Sequence, residues 1–158
     1  MFFGIKSKRN PRLHLLKNVV LFKDLSTREL AVVNHLLHAR HYLADEVIFD
    51  EGEEGQGLFI VLSGRVKIVR HGSPQTTLLE FGPGSFFGEV ALLDQSARTA
   101  QARAMEDTEI VSLFRTEFFS LLQTHSGIAS RISFQLARVL AGRLRVAITL
   151  NDVHHDAS

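Results

Sequence analysis

Between residues 41 and 115 glycine cuts the chain into short β-rich runs, and this punctuation limits the possible folds more than any other feature. EVIFD, GLFIVLS, RVKIVR, TTLLEF and EIVSLF are separated by breaks at Gly52, Gly55, Gly57, Gly64, Gly72, Gly82 and Gly84. Many short strands at such close spacing predict an antiparallel sandwich or barrel. In GRVKIV the alternation places Val66 and Ile68 inward and Lys67 and Arg70 outward, with Val69 out of phase.

Helical patterns flank this block, over 12–40 and 116–150. Ser26-Thr-Arg-Glu29 has the spacing of a capping box, and behind it Leu30, Val33, Leu36 and Leu37 share one helical face. Thr116 is placed to cap a short helix carrying Phe118, Phe119, Leu121 and Leu122. THSG at 124–127 interrupts it, and a long helix then runs from about Ile128 to Leu150. At 100° per residue, Arg131, Gln135, Arg138, Gly142, Arg145 and Thr149 form one narrow polar strip, and most of the remaining circumference is apolar. A small β domain covers one side of such a helix, so a second cover is expected. Residues 1–11 read as a basic arm (Lys6, Lys8 and Arg9, with Arg12 just beyond) and residues 151–158 as a polar tail containing His154 and His155.

At 158 residues the length suits one domain, and 45% hydrophobic with 22% charged residues is an ordinary globular composition. A net charge of +1 supplies no global basic field, so no nucleic-acid partner is expected. The absence of cysteine removes disulfides and thiolate metal sites. No apolar run approaches the roughly 18 residues that span a bilayer, and the first ten residues place apolar before basic, the reverse of a secretory signal. These features together lead us to expect a soluble, unprocessed cytoplasmic chain with no membrane partner.

The chemistry is concentrated in FFGEVALLDQSARTAQ, residues 86–101. Gly88 lets backbone approach a ligand without a Cβ in the way. Glu89-Val-Ala-Leu-Leu93 is long enough for one helical turn whose first amides would point outward, a setting that favours an anion. Arg98, expected to return on the next strand, offers a permanent planar fork suited to phosphate, and Thr99 adds a hydroxyl. A carboxylate at Glu89 repels phosphate, so its partner should be a hydroxyl. A ligand with a phosphate and a free sugar hydroxyl on one scaffold satisfies both groups, as a nucleotide does.

Two motifs carry a resemblance to the cyclic nucleotide-binding domains. FDEGEEGQGLFIVLSGRVKI (49–68) resembles the first glycine-rich β segment of that family. FGEVALLDQSARTA (87–100) resembles its phosphate-binding cassette, including the nine-residue step from glutamate to arginine seen in protein kinase regulatory subunits. The resemblance implies an α+β fold: an antiparallel β-roll (jelly roll) with N-terminal helices before it and a short plus a long helix after it. It also implies a ligand site at Phe87, Gly88, Glu89, Val90, Ala91, Arg98, Thr99 and Ala100. In that site Glu89 accepts from the ribose 2′-OH, Arg98 pairs with the cyclic phosphate, and the amides near Ala91 assist with Thr99. The ligand would be cAMP or cGMP, with the threonine after the arginine tilting towards cGMP, and no cofactor is implied. Two departures stand out. Ala97 replaces the proline of the kinase-type cassette, which should leave the loop less rigid. In LAGRLRVAI, Ala147 and Ile148 stand where catabolite activator protein offers two hydroxyls to adenine.

The expected function is a stand-alone regulatory module in signal transduction. It would signal through its C-terminal helix to a separate protein partner, or by forming a homodimer through residues 128–150. The alternative is a non-binding interaction protein of the same fold that acts through that apolar helix. Catalysis has no nucleophile–base pair or paired carboxylates to rest on, so an enzyme is not expected. His35 and His38 would sit near each other on a helix, but no complete ligand set follows and no metal is expected. Arg143, on the apolar side of the long helix, has three readings: snorkelling, an ion pair across a dimer, or a contact to the base.

Overall fold

The computed structural model describes the backbone of residues 10–156 and the side chains of residues 10–151. Lys6, Lys8 and Arg9 of the basic arm and the side chains of His154 and His155 lie outside these residues. Helix α1 (Pro11–Leu16), a 3-10 turn (Val20–Phe22) and α2 (Thr27–Leu36) come first. Strands β1 (His38–Tyr42), β2 (Val47–Phe49), β3 (Gly57–Ser63), β4 (Val66–Arg70), β5 (Ser73–Phe81) and β6 (Phe86–Phe87) follow. A single turn α3 (Val90–Leu93) precedes β7 (Gln101–Ala104) and β8 (Thr108–Phe114), and α4 (Arg115–Thr124) and α5 (Ser126–Asp156) close the order. No described helix is long and apolar enough to cross a membrane.

The strands form two four-stranded antiparallel sheets, ordered β1-β8-β3-β6 and β2-β7-β4-β5. This is the expected jelly-roll layering with helices at both ends. GLFIVLS is apolar almost throughout because its sheet is covered on both faces. Leu58, Ile60, Val111 and Leu113 pack outward on the helices together with Leu16, Phe22, Leu30, Phe118 and Ile132. Val61, Val66, Phe87, Ala102 and Ile110 fill the space between the sheets. Four phenylalanines knit that layer: Phe59 stacks on Phe87 at 5.4 Å between centroids, Phe81 on Phe87 at 5.5 Å, and Phe49 lies 5.6 Å from Phe59.

Several boundaries differ from the sequence expectation. The roll begins at His38, not residue 41, because β1 pairs with β8 from His38 opposite Ser112. His38 therefore leaves the helical face assigned to it, and its ring meets Glu117 at 2.6 Å while His41 meets Glu109 at 2.5 Å. In β4 the buried residues are Val66 and Val69, while Ile68 is only half-buried. A register shift between Ile68 and Val69 reverses the facing after Ile68, so Val69 is inward. Thr116 caps nothing: α4 starts one residue earlier, with Phe114 at its N-cap and no side-chain cap bond. The long helix runs from Ser126 through Asp156, so the backbone of the expected polar tail is helical over most of its length.

The capping box of α2 is present, with Ser26 Oγ accepting from the Glu29 amide and Glu29 accepting from the Ser26 amide. The Ser26 amide and then Arg131 hold the Glu29 carboxyl below its usual range. The polar strip of α5 is partly buried: Arg131 pairs with Glu29, and Gln135, 3% exposed, donates to Asp24 at 2.5 Å. Those contacts dock α5 on the N-terminal helices. Arg12 is likewise no solvated arm residue, since its Nη2 donates to the Asn34 carbonyl at 2.8 Å and ties α1 to α2.

The β4–β5 hairpin is fastened to the segment after β2 by His71, whose ring lies 2.9 Å from Asp50 Oδ1, and by Arg70 against Glu51. The Asp50 partner raises the His71 pKa, and the same bond lowers that of Asp50. A raised histidine pKa gives stability that is complete below the unfolded value near 6.5 and lost as pH rises through the folded one. A lowered aspartate pKa gives stability present above 3.8 and lost as pH falls through the folded value. The melting-temperature difference between wild type and His71→Ala should therefore peak near pH 5 (between about 4 and 6.5) and shrink on either side. Thermal denaturation across pH checks this, and a difference that grows towards pH 8 would refute it.

Candidate functional site

A cavity of about 230 Å³ opens between β4, β5, α3 and the segment before β7. Its wall contains all eight residues expected from the sequence, Phe87 through Ala91 and Arg98 through Ala100. Phe49, Ile68, Leu79, Phe81, Ser96, Ala97 and Arg143 complete it. Most of the wall is apolar, and three charged groups, Glu89, Arg98 and Arg143, line it. This is the division between shaped apolar wall and a few placed polar groups that small-molecule sites use.

Arg98 is half-buried, and the backbone holds it from both sides: its amide donates to the Glu53 carbonyl at 2.7 Å, and its carbonyl accepts from the Gly52 amide at 2.8 Å. Nη1 donates to the Gly88 carbonyl at 2.9 Å and Nη2 to the Gly57 carbonyl at 2.8 Å. The guanidinium lies 4.2 Å from the Phe49 ring centroid and 5.5 Å from that of Phe59. Burial pulls its pKa below the ordinary value, with Glu89 and Glu53 opposing. Among the described residues no carboxylate pairs with it. A cation with five N–H donors, two of them committed to carbonyls, keeps capacity for an anion. Arg98 lies in the segment before β7, not on the strand itself.

The glycines are explained by this guanidinium. Gly88 has φ +71°, and a Cβ there would lie 2.7 Å from Arg98 Nη1. A Cβ on Gly55 would meet Ala91 Cβ at 2.5 Å and Arg98 Cζ at 3.1 Å. Both positions exclude a side chain so that α3 and Arg98 can close on each other. At the position where the kinase-type cassette has proline, the segment carries local contacts of its own. Ala97 forms an isolated antiparallel bridge with Glu54, and Ser96 folds onto Asp94 through its amide (2.9 Å) and its hydroxyl (2.5 Å).

Glu89 is 8% exposed at the N-cap of α3 and accepts from Nη1 of Arg143. Arg143 also lies over the Phe86 ring, 5.5 Å from its centroid. Within the chain Arg143 is the ion-pair partner of Glu89, a contact that none of the three sequence readings named, and it also lines the cavity. Glu89 and Arg98 do not pair with each other, so a simple loop-to-strand ion pair is not what the two residues form. The Ala91 amide donates to the Gly88 carbonyl at 3.3 Å, so it is not a vacant anion donor. Thr99 is exposed at the rim, its carbonyl accepting from Arg70 at 3.3 Å. Ala147 and Ile148 are exposed and lie outside the cavity wall.

Sequence reasoning missed the pair between Glu89 and Arg143, which are 54 residues apart. A charged residue amid apolar neighbours at Arg143 was the available signal, but nothing local names its partner. It also missed Arg115, buried at the start of α4 and bonded to carbonyls of Gly55, Ala91 and Asp94.

Arg98→Ala should lower stability by about 1–3 kcal/mol, because it removes two charge-assisted bonds to carbonyls and opens space beside Phe49. Urea unfolding measures this, and an unchanged midpoint would mean that the two carbonyl bonds contribute nothing.

Comparison with known proteins agrees with this geometry. The family described as cyclic nucleotide-binding domain matches residues 39–125. The cyclic AMP receptor protein of Thermus thermophilus is 37% identical over 134 residues, covering 84% of this chain and 60% of that protein. The crystal structure of Thermus thermophilus catabolite activator protein superposes with a TM-score of 0.75 at 37% identity, over 85% of this chain and 62% of that one. The cAMP-bound PfPKA-R fragment 141–441 superposes with a TM-score of 0.73 at 28% identity, over 91% of this chain and 48% of that one. The chain thus spans about 60% of the length of its Thermus relative. With both sequence motifs, the jelly roll and the matched residues in agreement, this chain belongs to the cyclic nucleotide-binding domain family.

Proposed function

We propose that this chain is a non-catalytic sensor of a cyclic nucleotide, cAMP or cGMP, whose occupancy is reported through α5. The observation that carries it is Arg98, a half-buried cation on the cavity wall held by two carbonyls and no carboxylate. The cyclic phosphate takes the donors of Arg98 that the Gly88 and Gly57 carbonyls leave open. The ribose 2′-OH donates to Glu89, and the base lies towards Ile68, Leu79 and Phe81. The Thr99 hydroxyl at the rim is available to phosphate or to the guanine amino group. The relatives favour cAMP by name, since one is called a cyclic AMP receptor protein and another is a cAMP-bound fragment.

The output follows from Glu89. In this structure Arg143 of α5 pairs with this carboxylate. A ribose hydroxyl competes with that contact or rearranges it, so occupancy biases where α5 rests. The helix then signals to a protein partner or to a second copy of this chain in the cytoplasm.

Calorimetric titration with cAMP and cGMP tests the proposal. Micromolar or tighter binding of either is expected, with Arg98→Lys weakened by about 10- to 150-fold because a point charge cannot reproduce the fork. The 2′-deoxy analogues should bind about 1–3 kcal/mol more weakly, because they have no hydroxyl to donate to Glu89. No binding of either nucleotide by a folded protein would favour a non-binding interaction protein instead.

Self-association is the second expectation. Phe134, Leu144, Val146, Ile148 and Leu150 of α5 are 62%, 63%, 60%, 53% and 58% exposed, an apolar surface that a two-fold partner would cover. A homodimer through residues 128–150 should therefore appear in sedimentation at tens of micromolar (about that order). A soluble monomer under those conditions would contradict it.

A further inference from the structure

Arg115 is a buried charge that the nucleotide contacts leave unused. It is 9% exposed, and its Nη1 lies 3.1 Å from the Gly55 carbonyl, 2.9 Å from that of Ala91 and 2.9 Å from that of Asp94. Its own amide donates to the Gln56 carbonyl at 2.7 Å. Among the described residues no carboxylate forms an ion pair with it. A guanidinium withdrawn from water with only carbonyl partners is stable only while those carbonyls stay in place. Ala91 lies within α3 and Asp94 caps its C-terminal end, where carbonyls lack intrahelical partners and a cation is favoured. A helix of four residues cannot hold its own position. Arg115 holds it.

We propose that Arg115 is a positioning residue that locks α3 to α4, so that movement at the nucleotide-facing end of α3 is delivered to α5. The role presupposes the nucleotide binding proposed above. The contacts form a closed circuit. Glu89 caps α3 at one end and Arg115 grips the other; α4 begins at Arg115 and passes through His125 into α5; α5 returns through Arg143 to Glu89. A ligand that draws in the Gly88–Ala91 turn opens this circuit at Arg143. Because the Arg115 link holds, α4 and α5 move with α3. Without it, α3 shifts alone.

Two measurements on the full chain separate this role from simple support. The chain has no cysteine, so Thr76→Cys on β5 and Ala141→Cys on α5, both exposed, accept spin labels cleanly. Saturating cAMP should change the label distance in the parent. In Arg115→Gln, cAMP should still bind within about tenfold of the parent, because Glu89 and Arg98 are intact, while the distance change is largely lost. A full distance change at saturation in Arg115→Gln, or nucleotide binding by the parent with no change, overturns the coupling. Hydrogen exchange on the ligand-free protein decides the lock even if no nucleotide binds, an outcome that would sink the proposed ligand and not the lock. Arg115→Gln should speed exchange at the amides of Ala91, Leu92 and Asp94 and in α5 near Arg143, with β3 and β8 unchanged. Unaltered exchange in α3 overturns the proposal. Arg115→Lys should fall between the two and carries both measurements if Arg115→Gln does not fold.

Discussion

The guanidinium of Arg98, half out of water with only carbonyl partners, is the constraint around which the site is built. It needs the Gly88 and Gly57 carbonyls turned towards it, and both glycines belong to the two motifs that first marked the sequence. It needs the β2–β3 segment alongside, and Glu53 and Gly52 bond its backbone in both directions. It needs aromatic faces under the charge, which Phe49 and Phe59 supply from the inter-sheet core. These demands hold the cassette around a cation that, among the described residues, forms no ion pair, with Glu89 and Glu53 near enough to be felt. Such a group is costly to leave without an anion and cheap to satisfy with one.

Glu89 presents the complementary case. It is a carboxylate nearly as buried as the core residues around it, and it is paired, but with a residue whose own side chain is 44% exposed. A pair with one partner in solvent exchanges more readily than a fully buried one, because water can solvate the departing guanidinium. The two charges of the site therefore differ in kind. Arg98 is held within the cassette by two carbonyls, while the Glu89 partner is a half-exposed side chain on α5.

Much of the fold was legible because glycine punctuation and alternation report directly on strands buried between layers. The capping box of α2 and the GLFIVLS strand matched their patterns because each is decided by residues within a few positions. The misplacements arose where tertiary pairing overrode local preference. His38 joins β1 because β8 offers it a partner strand, and Val69 turns inward because a register shift reverses the alternation. In the site, every residue of the cassette was visible as motif, whereas Arg143 and Arg115 were not. Their partners are backbone carbonyls or a carboxylate brought near only by the closed fold, and no spacing rule encodes such contacts.

The geometry of α5 shows why one helix can both close the pocket and reach outward. At 100° per residue, Ile132, Leu136, Val139, Leu140 and Arg143 face the roll, in agreement with the burial of Ile132 and Leu136 and the packing of Val139 and Leu140 on the core. Phe134 and Ile148 point to the opposite side, Leu144 lies on the flank, and Val146 and Leu150 continue the inward line past the end of the roll. Residues 141–150 are exposed throughout. A helical segment of that length has little stability in isolation. It is continuous with the docked half, which the Arg143–Glu89 pair ties to the N-cap of α3. The pocket residue and the root of the unsupported segment are thus the same residue, and any ligand that takes Glu89 acts at the point where that segment is anchored.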